Sequence, residues 1–129
     1  MPDETGHYLN EEMLHCIEVC SDCHKACLQT VPYCLQMGGH HAEPNHIRLM
    51  VDCAEICQTS ANFMLRGSPY HGATCAACAE LCRACEEACR AFPDDEQLAH
   101  CAEMCGACAE SCEQMAAMDA EADEADDEA

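Results

Sequence analysis

Cysteines recur along this chain at spacings of three and four residues, and that spacing constrains the fold more than any other feature. Sixteen of the 129 residues are cysteine. Because an α-helix turns by about 100° per residue, alternating steps of three and four place every thiol of a segment on one helical face. The pattern predicts helices that each carry an inward stripe of thiols, made up of Cys16, Cys20, Cys23, Cys27, Cys34, Cys53, Cys57, Cys75, Cys78, Cys82, Cys85, Cys89, Cys101, Cys105, Cys108 and Cys112.

The large aliphatic and aromatic residues are too few to build an ordinary core. Leu, Ile, Val and Phe together number 16, no more than the cysteines, and chains so poor in these residues seldom form a conventional apolar interior. A protonated cysteine packs as a small hydrophobe. We therefore expect an interior of Cys, Ala and Met, of modest stability until bound metal links the thiols.

Glycine and proline divide the chain into four predicted helices, at about 8–37, 44–66, 71–91 and 94–118. Pro32 is expected to kink the first helix near Leu28, although Cys34 stays in phase with Cys27 beyond it. Short connections favour antiparallel neighbours. The sequence thus predicts an all-α protein, an antiparallel four-helix bundle with a cysteine-lined interior. We expect residues 1–118 to form this single domain and residues 119–129 to form an acidic, disordered tail.

The charge of the chain excludes several partners and suggests a compartment. Acidic residues outnumber basic ones 25 to 5, and the net charge is −20, so binding to nucleic acid or to an anionic membrane is not expected. No apolar run is long enough to span a bilayer, and the N-terminal residues lack the features of a signal peptide. We expect a cytoplasmic protein whose thiols stay reduced.

Four chemistries compete for such a set of thiols. Disulfide frameworks belong to loop-rich secreted domains, and thiols on successive helical turns are poorly oriented for bridging. Zinc prefers closed sets of four ligands, whereas five, two, five and four thiols on the successive helices cannot form one-per-helix layers throughout. Iron–sulfur clusters need four thiolates that converge from a flexible segment, and this sequence has no such segment. Cu(I) selects soft thiolate and thioether ligands and accepts only two or three, so it tolerates uneven layers.

The favoured hypothesis is therefore storage of several Cu(I) ions per monomer by bridging thiolates, with zinc or iron–sulfur binding as alternatives. Enzymatic activity is not expected, because the sequence pattern indicates no nucleophile paired with a base and with a third residue that orients the base. A thiol redox enzyme remains the rival from another class, and it would need one or two thiols of unusual reactivity. A copper chaperone would expose a single transfer site instead of burying sixteen thiols.

Four segments of the sequence resemble the copper storage protein family. They are 16–27 (CIEVCSDCHKAC), 52–57 (DCAEIC), 75–85 (CAACAELCRAC) and 105–112 (CGACAESC). The resemblance covers roughly residues 14–117, and it implies a four-helix bundle that holds many Cu(I) ions and assembles as a homo-tetramer. This chain is similar to the cytosolic branch, and a protein that donates or accepts copper is a possible partner.

The chain departs from the family pattern at three positions of the thiol stripe. Thr30, His46 and Leu98 stand where related proteins carry cysteine. Of these, His46 retains a ligand atom for copper, whereas Thr30 and Leu98 do not. The resemblance therefore implies a lower capacity than in relatives with the fuller set.

Soft or nitrogen ligands also extend the stripes towards both ends of the bundle. An antiparallel arrangement brings one group together at the start of the first and third helices, namely Met13, Met64, His71 and Met115. At the opposite end we expect His40, His41, His46, Met50 and His100 to lie together, with Phe92 and Leu98 closing the end of the bundle. Methionine often only fills gaps in a core, so either end could admit metal, while His15 and His24 are expected on the surface.

Overall fold

The computed structural model describes the backbone of residues 10–128 and the side chains of residues 10–119. The helices are α1 (Glu11–Met37), α2 (Pro44–Leu65), α3 (His71–Arg90) and α4 (Glu96–Glu128), with a short 3-10 turn at Gly39–Ala42. Over residues 10–128 there is no strand. The predicted all-α fold is confirmed.

The four helices form a ring in which each contacts its two neighbours along the chain, and α4 closes the ring against α1. Because the loops are short, consecutive helices run in opposite directions. The cysteine stripes of all four therefore face one shared interior. Within the described residues, none of the helices has the length and apolar character of a membrane span.

Local sequence explains where the helices begin and end. The Asn10 side chain accepts a hydrogen bond from the Met13 amide at 2.8 Å and caps α1. Gly38 ends that helix in the left-handed region at φ 72°. Asp95 lies before α4 and accepts a hydrogen bond from the Leu98 amide at 3.1 Å, which places the start of this helix at Glu96 and not at residue 94.

Helix α1 runs without interruption through Pro32. Proline removes one backbone hydrogen bond, the one to the carbonyl four residues earlier. The remaining turns and the buried stripe on either side keep the helix in register, so that Cys34 is buried like Cys27. The predicted continuation beyond Pro32 is present and the predicted kink stays a prediction, whereas the predicted start at Tyr8 lies outside the described residues.

Helix α4 differs most from the sequence prediction, because its backbone stays helical to Glu128 where a disordered tail was expected from residue 119. Alanine and glutamate are among the best helix formers. Extending an existing helix is also far easier than nucleating a new one. The division of the chain into one domain and a tail stays a prediction.

Candidate metal centre

All sixteen cysteine side chains lie inside the bundle. Each has an exposed fraction of 0%, and each is a free thiol. The stripes are continuous because steps of three and four residues keep each thiol on the same helical face. The predicted cysteine-lined interior is thus what the structure describes.

Sulfur atoms from different helices lie close together along the interior. Between α1 and α4, the Sγ atom of Cys20 lies 3.5 Å from that of Cys112 and 3.6 Å from that of Cys108. Between α2 and α3, the Sγ atoms of Cys57 and Cys82 are 3.5 Å apart. The two pairs of helices are joined across the bundle by the 3.8 Å contact between Cys57 and Cys108.

The thiols fall into overlapping groups of four in which all sulfur atoms lie within 4.8 Å of one another. Three helices contribute to each of the five groups named below, and one of the three supplies two cysteines four residues apart. Uneven numbers of thiols per helix are therefore accommodated by staggered groups and not by flat layers. These groups are Cys20/Cys78/Cys108/Cys112, Cys23/Cys53/Cys57/Cys82, Cys23/Cys27/Cys53/Cys105, Cys27/Cys85/Cys101/Cys105 and Cys57/Cys78/Cys82/Cys108.

Burial and hydrogen bonds between thiols shift the pKa values of these cysteines in different directions. Burial raises the pKa of Cys34 to about 11, because the charged thiolate is poorly solvated there. Within the clusters, hydrogen bonds from Cys105 and its neighbours lower the pKa of Cys53. The contact with Cys101 and other thiols instead raises the pKa of Cys105. Adjacent thiols therefore cannot all ionise together unless a cation replaces their protons.

At one end of the bundle, three of the predicted methionines are buried. Met13, Met64 and Met115 belong to the core cluster with the cysteines. The sulfur of Met64 lies 3.9 Å from the Sγ atom of Cys75. The fourth predicted residue, His71, is half-buried, and its Nδ1 atom lies 2.9 Å from the Ser68 carbonyl oxygen.

At the opposite end, His46 joins the thiol stripe. Its Nε2 atom lies 3.8 Å from the Sγ atom of Cys34. Burial, and then the neighbouring His41, lower the pKa of His46, so that its ring is neutral and able to bind a metal ion. The ring of Phe92 packs between these histidines, with centroids 4.2 Å from His41 and 5.4 Å from His46.

The other residues predicted at this end divide into core and surface. Met50 and Leu98 are fully buried, whereas His40 and His100 are exposed. A cavity of about 550 Å³ opens outside His46 and is lined by His40 and Phe92 among others. Thus His46 lies between the thiols and this cavity.

Two polar residues at stripe positions, Thr30 and Ser60, make hydrogen bonds inside the bundle. The Thr30 hydroxyl donates to the Ala26 carbonyl at 2.6 Å and accepts from the Gln97 amide at 3.1 Å. Ser60 is buried with its Oγ atom 3.3 Å from the Sγ atom of Cys75. Its position three residues after Cys57 was the available signal, since that spacing continues the stripe of α2.

One residue outside the stripe differs from what the sequence suggested. His24 was expected on the surface, but it is half-buried and its Nδ1 atom lies 2.7 Å from the Ala54 carbonyl oxygen, where it joins α1 to α2. Tyr33 donates to the Asp95 carboxylate at 2.8 Å. Asp95 also contacts the His41 Nε2 atom at 2.8 Å. The exposed position expected for His15 agrees with the structure.

Comparisons with known proteins agree with this geometry. Residues 9–117 match the family model described as Copper storage protein. The solved structure of the Cu(I)-bound copper storage protein BsCsp3 is 38% identical, with 82% of this chain and 99% of that chain covered and a TM-score of 0.77. Ccsp from Streptomyces lividans, in a structure loaded with 10 copper equivalents, is 32% identical, with 83% and 85% covered and a TM-score of 0.72.

Two further similarities concern compartment and length. Another solved structure from Streptomyces lividans, 33% identical, is of a cytosolic copper storage protein with five coppers. The uncharacterized cysteine-rich protein YhjQ of Bacillus subtilis is 41% identical over 66 residues, which cover 51% of this chain. The chain spans 61% of the length of that curated relative.

Proposed function

Because this chain belongs to the copper storage protein family, we propose that it stores Cu(I), several ions to each monomer, on the thiolates of its interior. The observation that carries the proposal is the continuous network of buried sulfur atoms, whose contacts between helices are 3.5–4.0 Å. Cu(I) is a soft ion that selects thiolates and accepts low coordination numbers. Such a network offers many overlapping sites of two or three sulfurs.

Loading exchanges protons for metal. Burial favours the protonated form of a thiol in the metal-free protein, as the raised pKa of Cys34 illustrates. A Cu(I) ion that takes the place of a proton leaves the local charge unchanged, so the interior can fill without accumulating buried charge. Because binding requires proton release, lower pH should weaken loading.

The two ends of the bundle supply different ligands for entry and release. Met64 lies against Cys75 at one end, and His46 lies against Cys34 at the other. We propose that these residues, with Met13, His71 and Met115, pass Cu(I) to the cysteines by ligand exchange. The likeness to a cytosolic storage protein supports action in the cytoplasm, with a copper donor or acceptor protein as partner.

The proposal assigns binding and not catalysis to the chain. All sixteen thiols are enclosed, whereas a thiol redox enzyme needs an accessible cysteine of unusual reactivity. A store instead needs many shielded thiols of similar kind. The enclosed network therefore favours storage over thiol redox catalysis.

We also propose assembly as a homo-tetramer, for which α1 offers an apolar outer face. Leu14, Leu28 and Leu35 are about half exposed, and their spacing by multiples of seven places them on one stripe. Leu28→Glu should therefore dissociate the assembly, since it places a charge in the middle of this stripe. Sedimentation velocity measures the mass, with Leu65→Glu on α2 as the matched control at an equally exposed leucine. A tetramer that survives Leu28→Glu would contradict this choice of interface.

Anaerobic titration with Cu(I) against a competing chelator tests storage. The reduced protein should take up on the order of one ion per thiol with high affinity. The double variant Cys78→Ala/Cys108→Ala should bind fewer ions, and His100→Ala, at an exposed position, should bind as many as the unaltered chain. Saturation at one or two ions would contradict storage.

A further inference from the structure

We infer that Cys57, Cys78, Cys82 and Cys108 form a preorganised site for one tetrahedral Zn²⁺ ion, which the bundle holds in the absence of Cu(I). These four residues are called the central quartet below. The inference goes beyond copper storage, because it concerns another metal and a fixed set of four ligands. It rests on the distances between the four sulfur atoms, which match a tetrahedral site more closely than storage of Cu(I) requires.

The shape of the central quartet matches a zinc–tetrathiolate site. Zinc binds four sulfurs at about 2.3 Å, so the edges of the sulfur tetrahedron are about 3.8 Å long. From Cys57, the Sγ atoms of Cys82, Cys78 and Cys108 lie at 3.5, 3.7 and 3.8 Å. From Cys78, those of Cys108 and Cys82 lie at 3.7 and 3.8 Å. The sixth edge, between Cys82 and Cys108, is below 4.8 Å.

Five of the six edges thus lie within about 0.3 Å of the length that tetrahedral zinc requires. In the neighbouring group Cys20/Cys78/Cys108/Cys112, by comparison, three contacts of such length are described: 3.5 Å for Cys20 and Cys112, 3.6 Å for Cys20 and Cys108, and 3.7 Å for Cys78 and Cys108. Five edges of this length bring four sulfurs together at the spacing of a tetrahedral site, whereas a two- or three-coordinate Cu(I) site needs no fourth sulfur.

The site is also closed, and helices carry all four ligands. Cys78 and Cys82 lie one turn apart on α3, and single residues of α2 and α4 complete the tetrahedron. All four side chains have an exposed fraction of 0%. Structural zinc sites share this closed character, with four protein ligands and no position left for water.

Binding must balance charge inside the bundle. Four thiols release four protons as one Zn²⁺ enters, and the zinc–tetrathiolate unit carries a formal charge of −2. Neighbouring thiols that keep their protons can donate hydrogen bonds to the thiolates and spread this charge. Cys20 lies 3.6 Å from Cys108 and can donate to it once Cys108 is a thiolate.

Cu(I) competes for the same sulfurs. Two Cu(I) ions that replace one Zn²⁺ conserve the charge of the quartet, and no electron transfer is involved. Soft thiolates favour Cu(I) over zinc. Copper loading should therefore release one Zn²⁺ per monomer, which a zinc indicator would register during the copper titration.

Titration of the reduced, metal-free protein with Co²⁺ under nitrogen tests the site, because tetrahedral thiolate-bound Co²⁺ has intense visible absorption that hydrated Co²⁺ lacks. We expect these bands to saturate at one Co²⁺ per monomer and to vanish when one equivalent of Zn²⁺ is added. Weak bands of hydrated Co²⁺ alone would overturn the inference.

Variants locate the site. Cys82→Ser preserves the size of the side chain and should abolish the bands, whereas Cys34→Ser, whose sulfur lies beside His46 at the end of the bundle, should retain them. Cys57→Ser provides a second vertex in case Cys82→Ser does not fold, with helicity checked by circular dichroism. Bands that survive in a folded vertex variant, or that disappear in Cys34→Ser, would overturn the inference.

The same samples separate this inference from copper storage. A protein that takes up many Cu(I) ions but shows no tetrahedral Co²⁺ bands would retain the storage function and lose the zinc site. A protein that binds one Co²⁺ in the central quartet but saturates at one or two Cu(I) ions would retain the zinc site and lose the storage function.

Discussion

Cysteine fills the interior of this bundle in the place of larger apolar residues. A protonated thiol packs as a small hydrophobe, and alanine and methionine complete the core cluster. The stripe positions that are not cysteine carry side chains of a similar or larger size, such as Thr30, Ser60 and Leu98, and all three are fully buried. The core is therefore packed in the metal-free protein. Each stripe position that is not cysteine removes one thiol from the set of possible copper ligands.

Thr30→Cys should raise the copper capacity. Thr30 lies in the stripe between Cys27 and Cys34 and has no soft ligand atom. The substitution supplies a seventeenth thiol in the interior, while loss of the hydrogen bond to Ala26 should cost about 1 kcal/mol of unfolding free energy. Anaerobic Cu(I) titration against a chelator should show more bound copper per monomer.

Gln29→Cys is the matched control for this change, because residue 29 is the exposed neighbour of Thr30. It adds the same thiol outside the bundle, where the chelator competes freely for copper. An equal gain of tightly held copper in both variants would show that position in the stripe is unimportant.

Alkaline pH should destabilise the reduced, metal-free protein. The ordinary pKa of Cys34 is 9.0, and burial raises it to about 11 in the folded chain. Because the fold binds this proton more tightly than the unfolded chain does, the stability it contributes is full below about pH 9 and is lost as the pH rises towards about 11. Thermal unfolding at pH values across this window should show a falling midpoint.

Cys34→Ala removes this proton and should make the midpoint less dependent on pH over the same window. Cys75 should contribute in the same direction. The hydrogen bond from Cys112 lowers the pKa of Cys75, but contact with Cys16 and burial outweigh it and raise the pKa to about 12. A midpoint that stays constant from neutral to strongly alkaline pH would contradict the protonated core.

Two glycines show how closely α3 and α4 approach each other. A Cβ atom added to Gly72 would overlap the Asp119 carboxylate and would also lie 2.8 Å from the Asp119 Cβ atom, which is fixed to the backbone of α4. At Gly106 the added atom would meet Glu86 Oε2 at 2.7 Å, at the far end of a flexible side chain. The contact at Gly72 thus includes a Cβ atom that cannot move without its helix, whereas the contact at Gly106 involves only a movable carboxylate.

Gly72→Ala should therefore destabilise the protein, whereas Gly106→Ala should be tolerated. Overpacking at Gly72 should lower the free energy of unfolding by about 1–3 kcal/mol. At Gly106 the higher helix propensity of alanine, about 0.5–1 kcal/mol, offsets the displacement of Glu86. Urea denaturation of the reduced, metal-free variants measures both changes, and equal effects would contradict the close approach at Gly72.

The molecule as a whole combines a strongly acidic exterior with an interior that ordinary apolar packing stabilises only weakly. The net charge of −20 repels itself and opposes compaction. Hydrogen-bonded pairs such as Arg83 with Glu113 link α3 to α4 at the surface, but exposed ion pairs contribute little. Metal that links the helices should therefore add to the stability of the folded chain.

Copper loading should raise the thermal stability of the protein. Metal that binds the folded chain more tightly than the unfolded chain stabilises the fold by mass action. Thermal unfolding followed by circular dichroism, with increasing Cu(I) under nitrogen, should show a midpoint that climbs with each added equivalent. A loaded protein that unfolds at the temperature of the metal-free one would contradict the coupling between loading and folding.

The sequence by itself determined the four helices, their antiparallel order and the inward face of every cysteine. These properties follow from local periodicity and from glycine and proline at the connections, and the phase of Cys34 beyond Pro32 shows how far they reach. The same periodicity located His46 and the buried methionines on the stripes, because phase is a property of one helix alone.

Only the tertiary structure decided which sulfur atoms meet. The contact between Cys57 and Cys108, the packing of His24 against Ala54 and the helical course of α4 beyond residue 119 were not deducible from the sequence. Contacts between helices depend on how far neighbours slide along and rotate about their axes. Those offsets are set by the packing of all four helices together, so no single segment of the sequence encodes them.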